Sequence, residues 1–214
     1  MSPRKLFEQE LEELRQDVLQ MAEWVQDGYD CLFAALEKKD GDQMRRYVRH
    51  DRTIEDMQRN IESQCLSLLT RQTPVARDLR TVSAALKVVT DLERIGDQAE
   101  DIAEIVISGQ VNEGEELLRD MAASTIKMVT ESVDAYVKHD TMLAEKVIAE
   151  DDIVDDWFDR VKHTLIRRMT TDPGEGERAV DLLMIAKYFE RIGDHAVNVA
   201  QWVIFSVTGT HKEG

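Results

Sequence analysis

Proline occurs only three times in these 214 residues, and each time it follows a residue whose side-chain oxygen can cap free backbone N–H groups: Ser2-Pro3, Thr73-Pro74 and Asp172-Pro173. Proline at the first helical position forfeits no hydrogen bond, so each pair reads as a helix N-terminus. Two further breaks, Asp40-Gly41-Asp42 and Gly109 to Gly114, interrupt the apolar pattern, and Asp140-Thr141 makes a weaker one with Asp140 as N-cap. Between the breaks, apolar residues recur at three- and four-residue spacing. Leu11, Leu14, Val18, Met21, Val25 and Leu32 form one stripe, and Met128, Val129, Val133 and Tyr136 belong to another. That period predicts amphipathic helices over 4–38, 42–71, 74–108, 113–139, 141–170 and 175–207. Glycine is also scarce, at 10 residues, and aromatics make up 6%, too little turn chemistry to punctuate a β-sandwich or barrel. The expected class is all-α, and long rods with short links pack as antiparallel neighbours in bundles.

The second half echoes the first. Met21-Ala22 matches Met121-Ala122, Ala35 matches Ala135, and Asp40, Asp51 and Asp56 match Asp140, Asp151 and Asp156, all at an offset of 100. Leu92-Glu-Arg-Ile-Gly-Asp97 matches Phe189-Glu-Arg-Ile-Gly-Asp194 at an offset of 97. Co-linear matches in successive helices point to duplication, with a small length change before the third helix of each half. The expected organisation is two tandem three-helix bundles, 1–109 and 110–214.

Formal net charge is −16, which disfavours nucleic acid and anionic membrane surfaces as partners and favours cations or basic proteins. The same charge also serves plain solubility. Cys31 and Cys65 lack CxxC spacing and read as reduced thiols in a cytosolic protein. The N-terminus runs into Glu-rich sequence with no apolar signal core, and no run approaches the ~18 to 20 apolar residues of a membrane span. These features give an expectation of cytoplasmic location without membrane insertion.

Successive helical residues rotate by ~100°, so Glu93, Asp97 and Asp101 fall within ~80° of arc, with Glu100 and Glu104 nearby. The second half repeats the stripe as Glu190, Asp194 and Asn198. The preceding helices add Asp51 with Glu55 and Asp151 with Asp155, again at i and i+4. Like charges stacked at i,i+4 repel, so such stripes either stay in water or are neutralised by cations. Oxygen ligands of this kind suit Mg²⁺, Ca²⁺, Mn²⁺ or iron; no Cys/His set has zinc spacing. On the same wheel Leu92, Gly96, Ala99 and Ala103 form a core-facing stripe whose small members admit a close neighbour.

Asp91-Leu-Glu-Arg-Ile-Gly-Asp97, its second copy Phe189-Glu-Arg-Ile-Gly-Asp-His195, and Thr73-Pro-Val-Ala-Arg-Asp-Leu-Arg80 closely resemble the PhoU family of phosphate-transport regulators. The resemblance extends over nearly the whole chain. It implies two three-helix bundles, a homodimer, and a non-catalytic regulator that links a phosphate ABC transporter ATPase to a phosphate-sensing histidine kinase. It also implies metal clusters on paired acidic motifs, here Asp51 and Glu55 with Glu93, Asp97 and Asp101, and Asp151 and Asp155 with Glu190, Asp194 and Asn198. Asn198 is a neutral departure from the acidic pattern. Arg94 and Arg191 are expected to pair with neighbouring carboxylates, and His195 to be a packing residue outside the metal set.

Two other functions compete with the regulator. A di-metal carboxylate enzyme of ferritin type would need Glu-x-x-His on two helices, but Glu190 lies five residues from His195 and Gln98 stands at the equivalent place in the first half. A metal-buffering bundle with no partner is the other. No strand-to-helix glycine loop able to cradle phosphate is present, since the motif glycines lie within helices.

Overall fold

A computed structural model describes residues 3–38, 51–71, 75–108 and 116–210. Six long helices account for almost all of them: α1 (Pro3–Lys38), α2 (Asp51–Arg71), α3 (Ala76–Ser108), α4 (Glu116–Lys138), α5 (Thr141–Thr171) and α6 (Gly176–Thr208). There is no strand among the described residues. α1 has 36 residues and is therefore a rod of about 54 Å. The sequence-based expectations for 42–50, 72–74, 113–115, the Arg45-Arg46-Arg49 run and the terminal tail from His211 fall outside the described residues, as do the side chains of Cys31, Ala35 and Asp51.

The helices form two three-helix units. α1, α2 and α3 pack pairwise, as do α4, α5 and α6. The units then join along α3 and α6, with α1 also touching α4. One continuous apolar core runs through both, from Phe7, Leu14 and Val18 to Val199, Val203 and Ile204. Every member of the stripe Leu92, Ala99 and Ala103 is fully buried. Gly96 lies so close to α2 that a Cβ there would sit 3.1 Å from Ile54 Cδ1. Its counterpart Gly193 stands against Val154, the counterpart of Ile54, at a looser 3.5 Å. Small residues thus set the spacing between the second and third helices of both units.

The helix ends refine the expected boundaries. Asp140 caps α5 as its sequence predicts, accepting from Met142 N and Leu143 N at 3.0 Å each. Asp172-Pro173 does not open α6 directly. Asp172 accepts from Gly174 N at 2.9 Å and caps a single 3₁₀ turn, Pro173–Glu175, after which α6 starts at Gly176 with no side-chain cap. A proline pair fixes where a turn of helix begins, not how many residues follow it. At α3 an unexpected residue contributes: Asp78, 4% exposed, accepts from Val75 N at 3.2 Å and from Arg4 at 2.6 Å. It closes the helix start in the manner of a capping box and pins the first turn of α1 to it. α4 ends in a Schellman turn, with Asp140 N donating to Ala135 O (3.0 Å) and His139 N to Tyr136 O (3.4 Å). The left-handed position, φ 51°, is held by His139 and not by glycine.

Candidate functional site

In the second unit the acidic residues of two helices gather. Asp151 and Asp155 lie on α5 and Glu190 and Asp194 on α6, and the close packing at Gly193 brings the helices together: a Cβ at residue 193 would lie 3.6 Å from Asp151 Oδ1. The electrostatic consequence is direct. Burial, then Asp194, Asp155, Asp152 and Glu190 in that order, push the Asp151 carboxyl up to about 6. Asp155 and Asp194 are also raised, each by desolvation first and then by Glu190, although both are exposed to solvent. A like-charge cluster whose members resist ionisation this way is a place where added positive charge is stabilising. Lys187 Nζ already supplies some, 2.5 Å from Glu190.

In the first unit the described acids are paired with arginines. Glu55 pairs with Arg59 at 2.6 Å, and Arg94 reaches Asp97 at 2.9 Å and Glu93 at 3.5 Å. Arg94 therefore does what its sequence position suggests and neutralises its own stripe. Among the described residues no three His, Cys, Asp or Glu side chains are arranged to share one ion. The donor chemistry of Asp151, Asp155, Glu190 and Asp194 fits a hard cation all the same: four carboxylates from two helices, close enough to raise the proton affinity of Asp151, Asp155 and Asp194.

The last member of each stripe has a different setting. Asn198 donates its side-chain N–H to Asp91 Oδ1 at 3.2 Å, across the seam between α3 and α6, and His195 Nδ1 lies 2.9 Å from the same oxygen. Asp101, raised mainly by burial, accepts from the Tyr188 hydroxyl across the same seam. Residue numbers rise along α3 as they fall along α6, so the helices run antiparallel. The repeat offset of 97 converts Asp91 to Tyr188 and Asp101 to Asn198, so each contact is the image of the other. This is the reciprocal pattern of a two-fold interface, here within one chain. Asp91 and Tyr188 escaped the sequence reading as site residues, although an acid on the buried side of a helix was a signal available at Asp91, which is only 9% exposed.

Comparison with known proteins shows where this architecture belongs. The PhoU domain matches the chain twice, over residues 18–106 and 118–203. This chain belongs to the PhoU family. A PhoU homolog of Clostridium acetobutylicum, named a phosphate-specific transport system accessory protein, is 36% identical over 211 residues, covering 96% of both chains. The crystal structure of PhoU from Pseudomonas aeruginosa superposes with a TM-score of 0.91 at 35% identity, over 95% of this chain and 100% of that one. That of the phosphate transport system regulatory protein PhoU from Streptococcus pneumoniae gives 0.89 at 27% identity, over 97% and 100%. PhoU proteins are accessory and regulatory proteins, not enzymes, so the di-metal enzyme reading falls away. Among the described residues no helix is long and apolar enough to cross a membrane.

Proposed function

We propose that this PhoU protein is an accessory regulator of phosphate-specific transport that holds down the phosphate-starvation response when phosphate is plentiful. The supporting observation is the near full-length relationship to proteins named for that role, with the domain present in both halves. On this reading it acts in the cytoplasm, as a homodimer, and links the ATPase of a phosphate ABC transporter to a phosphate-sensing histidine kinase. The units 1–109 and 110–214 are its two repeats. The surface excess of carboxylate suits basic protein partners.

A hard cation (Mg²⁺, Mn²⁺, Ca²⁺ or iron) belongs to the same proposal. Asp151, Asp155, Glu190 and Asp194 would hold it in the second unit, and Asp51, Glu55, Glu93 and Asp97 in the first, while Asn198 and Asp101, the last members of the two stripes, face the seam instead. It would supply positive charge that the chain's own lysines and arginines supply only in part.

Pull-down from phosphate-replete cells tests the adaptor role. Recovery of a transporter ATPase or sensor kinase is expected; metal without partners would instead indicate a buffering protein. Elemental analysis of native protein beside the Asp97→Ala/Asp194→Ala variant tests the cation, and unchanged metal content would remove these aspartates from the site.

A further inference from the structure

Between Asp152 and Arg167 every exposed residue of α5 falls within ~160° of arc, on the side away from the buried Val154, Val161 and Leu165. Two of them are large and apolar, Ile153 at 49% exposure and Ile166 at 50%. The charges along this outer face are segregated: Asp152, Asp156 and Asp159 precede its midpoint, and Arg160, His163 and Arg167 follow it. We propose that a second copy of this chain docks on this face, its α5 antiparallel to the first across a two-fold axis passing between Asp159 and Arg160.

The register follows from the order of residues. Reversing α5 about that point sets Ile153 against the partner's Ile166 and Asp152 against the partner's Arg167. The same reversal sets Asp156 against the partner's His163 and Asp159 against the partner's Arg160. Each pairing then occurs twice, as an isologous interface requires. Asp152, Asp156, Asp159, His163 and Ile166 succeed one another by alternating steps of four and three, the spacing of a seam between two paired helices. His163 Nδ1 lies 2.7 Å from Asp159 O in its own helix, so Nε2 is the atom left to meet a carboxylate outside. A foreign partner would impose no symmetry about one point of one helix; a second copy does.

Within one copy these charges are only partly used. Asp152, Asp156 and Arg167 form no ion pair among the described residues. Arg160 stacks on Trp157, 4.8 Å from the ring centroid, and Asp159 has Lys162 at 2.5 Å. The helix dipole also favours acid early and base late, but it acts over the first and last turns. Asp156 to His163 lie in the middle of a 31-residue helix. Nor does the fold demand the pattern. In the duplicated helix α2, Arg52, Arg59 and Ser67 stand where α5 has Asp152, Asp159 and Arg167, and the same reversal there pairs no opposite charges. Arg59 instead meets Glu55 and Asp56 on its own helix.

One helix pair makes an interface that is small for a stable complex, so the dimer should be reversible. This surface rests on the proposed homodimer and says where its copies meet. Sedimentation equilibrium of the full chain is the experiment. A concentration-dependent dimer is expected, weakened in ~1 M salt, where the screening length falls to about 3 Å. Asp152→Arg and Arg167→Glu should each weaken it about tenfold, because each reversal brings like charges together twice. In the double variant Asp152→Arg/Arg167→Glu the exchanged charges meet again, and dimerisation should return. Both positions are exposed, and unchanged thermal melts of the monomer confirm that each variant folds. A chain that stays monomeric at every concentration overturns the surface and the homodimer together. A dimer indifferent to both single reversals, or not restored in the double variant, overturns the surface alone and leaves the homodimer standing.

Discussion

Asn198 and Asp91 meet at 3.2 Å across the α3–α6 seam, and the repeat turns that pair into Asp101 and Tyr188 on the other side of the same seam. Asp91 accepts from Asn198 and faces His195, so its removal strands two polar groups that are themselves part-buried. Asp91→Ala is expected to destabilise the protein by about 1–3 kcal/mol, with Asp91→Asn costing less because an acceptor oxygen remains. A double-mutant cycle of Asp91→Ala with Asn198→Ala should return a coupling of at least about 0.5 kcal/mol. Additive losses in denaturant melts would mean the contact contributes nothing to joining the units.

The two motif glycines, alike in sequence, should respond differently to one added methyl group. Glycine inside a helix costs about 0.5–1 kcal/mol relative to alanine. At Gly193 the new Cβ would find ordinary contacts at 3.5 Å and beyond, so Gly193→Ala should stabilise by most of that amount. At Gly96 the Cβ would press on Ile54 Cδ1 at 3.1 Å, offsetting much of the gain. Ile54→Val removes the pressing methyl, so its cost should shrink in the Gly96→Ala background. Thermal melts of the four variants are the check, and identical responses at the two glycines would contradict the packing described.

The raised Asp151 carboxyl fixes the sign of a pH effect. Its folded value of about 6 stands above the ordinary aspartate value near 3.9, so between about pH 4 and 6 the folded chain binds the proton that the unfolded chain releases. Its ionisation therefore costs stability above pH 6, and the cost fades as pH falls toward 4. Partial solvation keeps the cost at the lower end of about 1–3 kcal/mol. Asp151→Asn should raise Tm at pH 7 in chelator-treated protein, and the difference from the parent should vanish near pH 4. A constant difference across that range would show that charge is not its origin.

The helical rods and the duplication were legible in the sequence because both depend on spacing alone. An apolar stripe such as Leu11, Leu14, Val18 and Met21 needs only a core to face, and Leu14, Val18 and Met21 are buried in it. The gathering of Asp151, Asp155, Glu190 and Asp194 could be anticipated for the same reason, since i and i+4 positions on adjacent helices face one groove. The partners of Asn198 and Asp101 could not. A helical wheel gives azimuth, and over eight residues the stripe drifts by ~80°, enough to turn its last member from α5 toward the neighbouring unit.

The reciprocal seam has an evolutionary reading. A contact set that maps onto itself when the repeats are exchanged is what two identical half-length chains would make on associating face to face. Fusing the genes of such a pair leaves each position free to change without its twin. Asp91 with its repeat counterpart Tyr188, and Asp101 with its counterpart Asn198, record that freedom: one ancestral junction now carries two chemistries, a carboxylate gripped by an amide and an imidazole at one end, and a phenol bound to a carboxylate at the other.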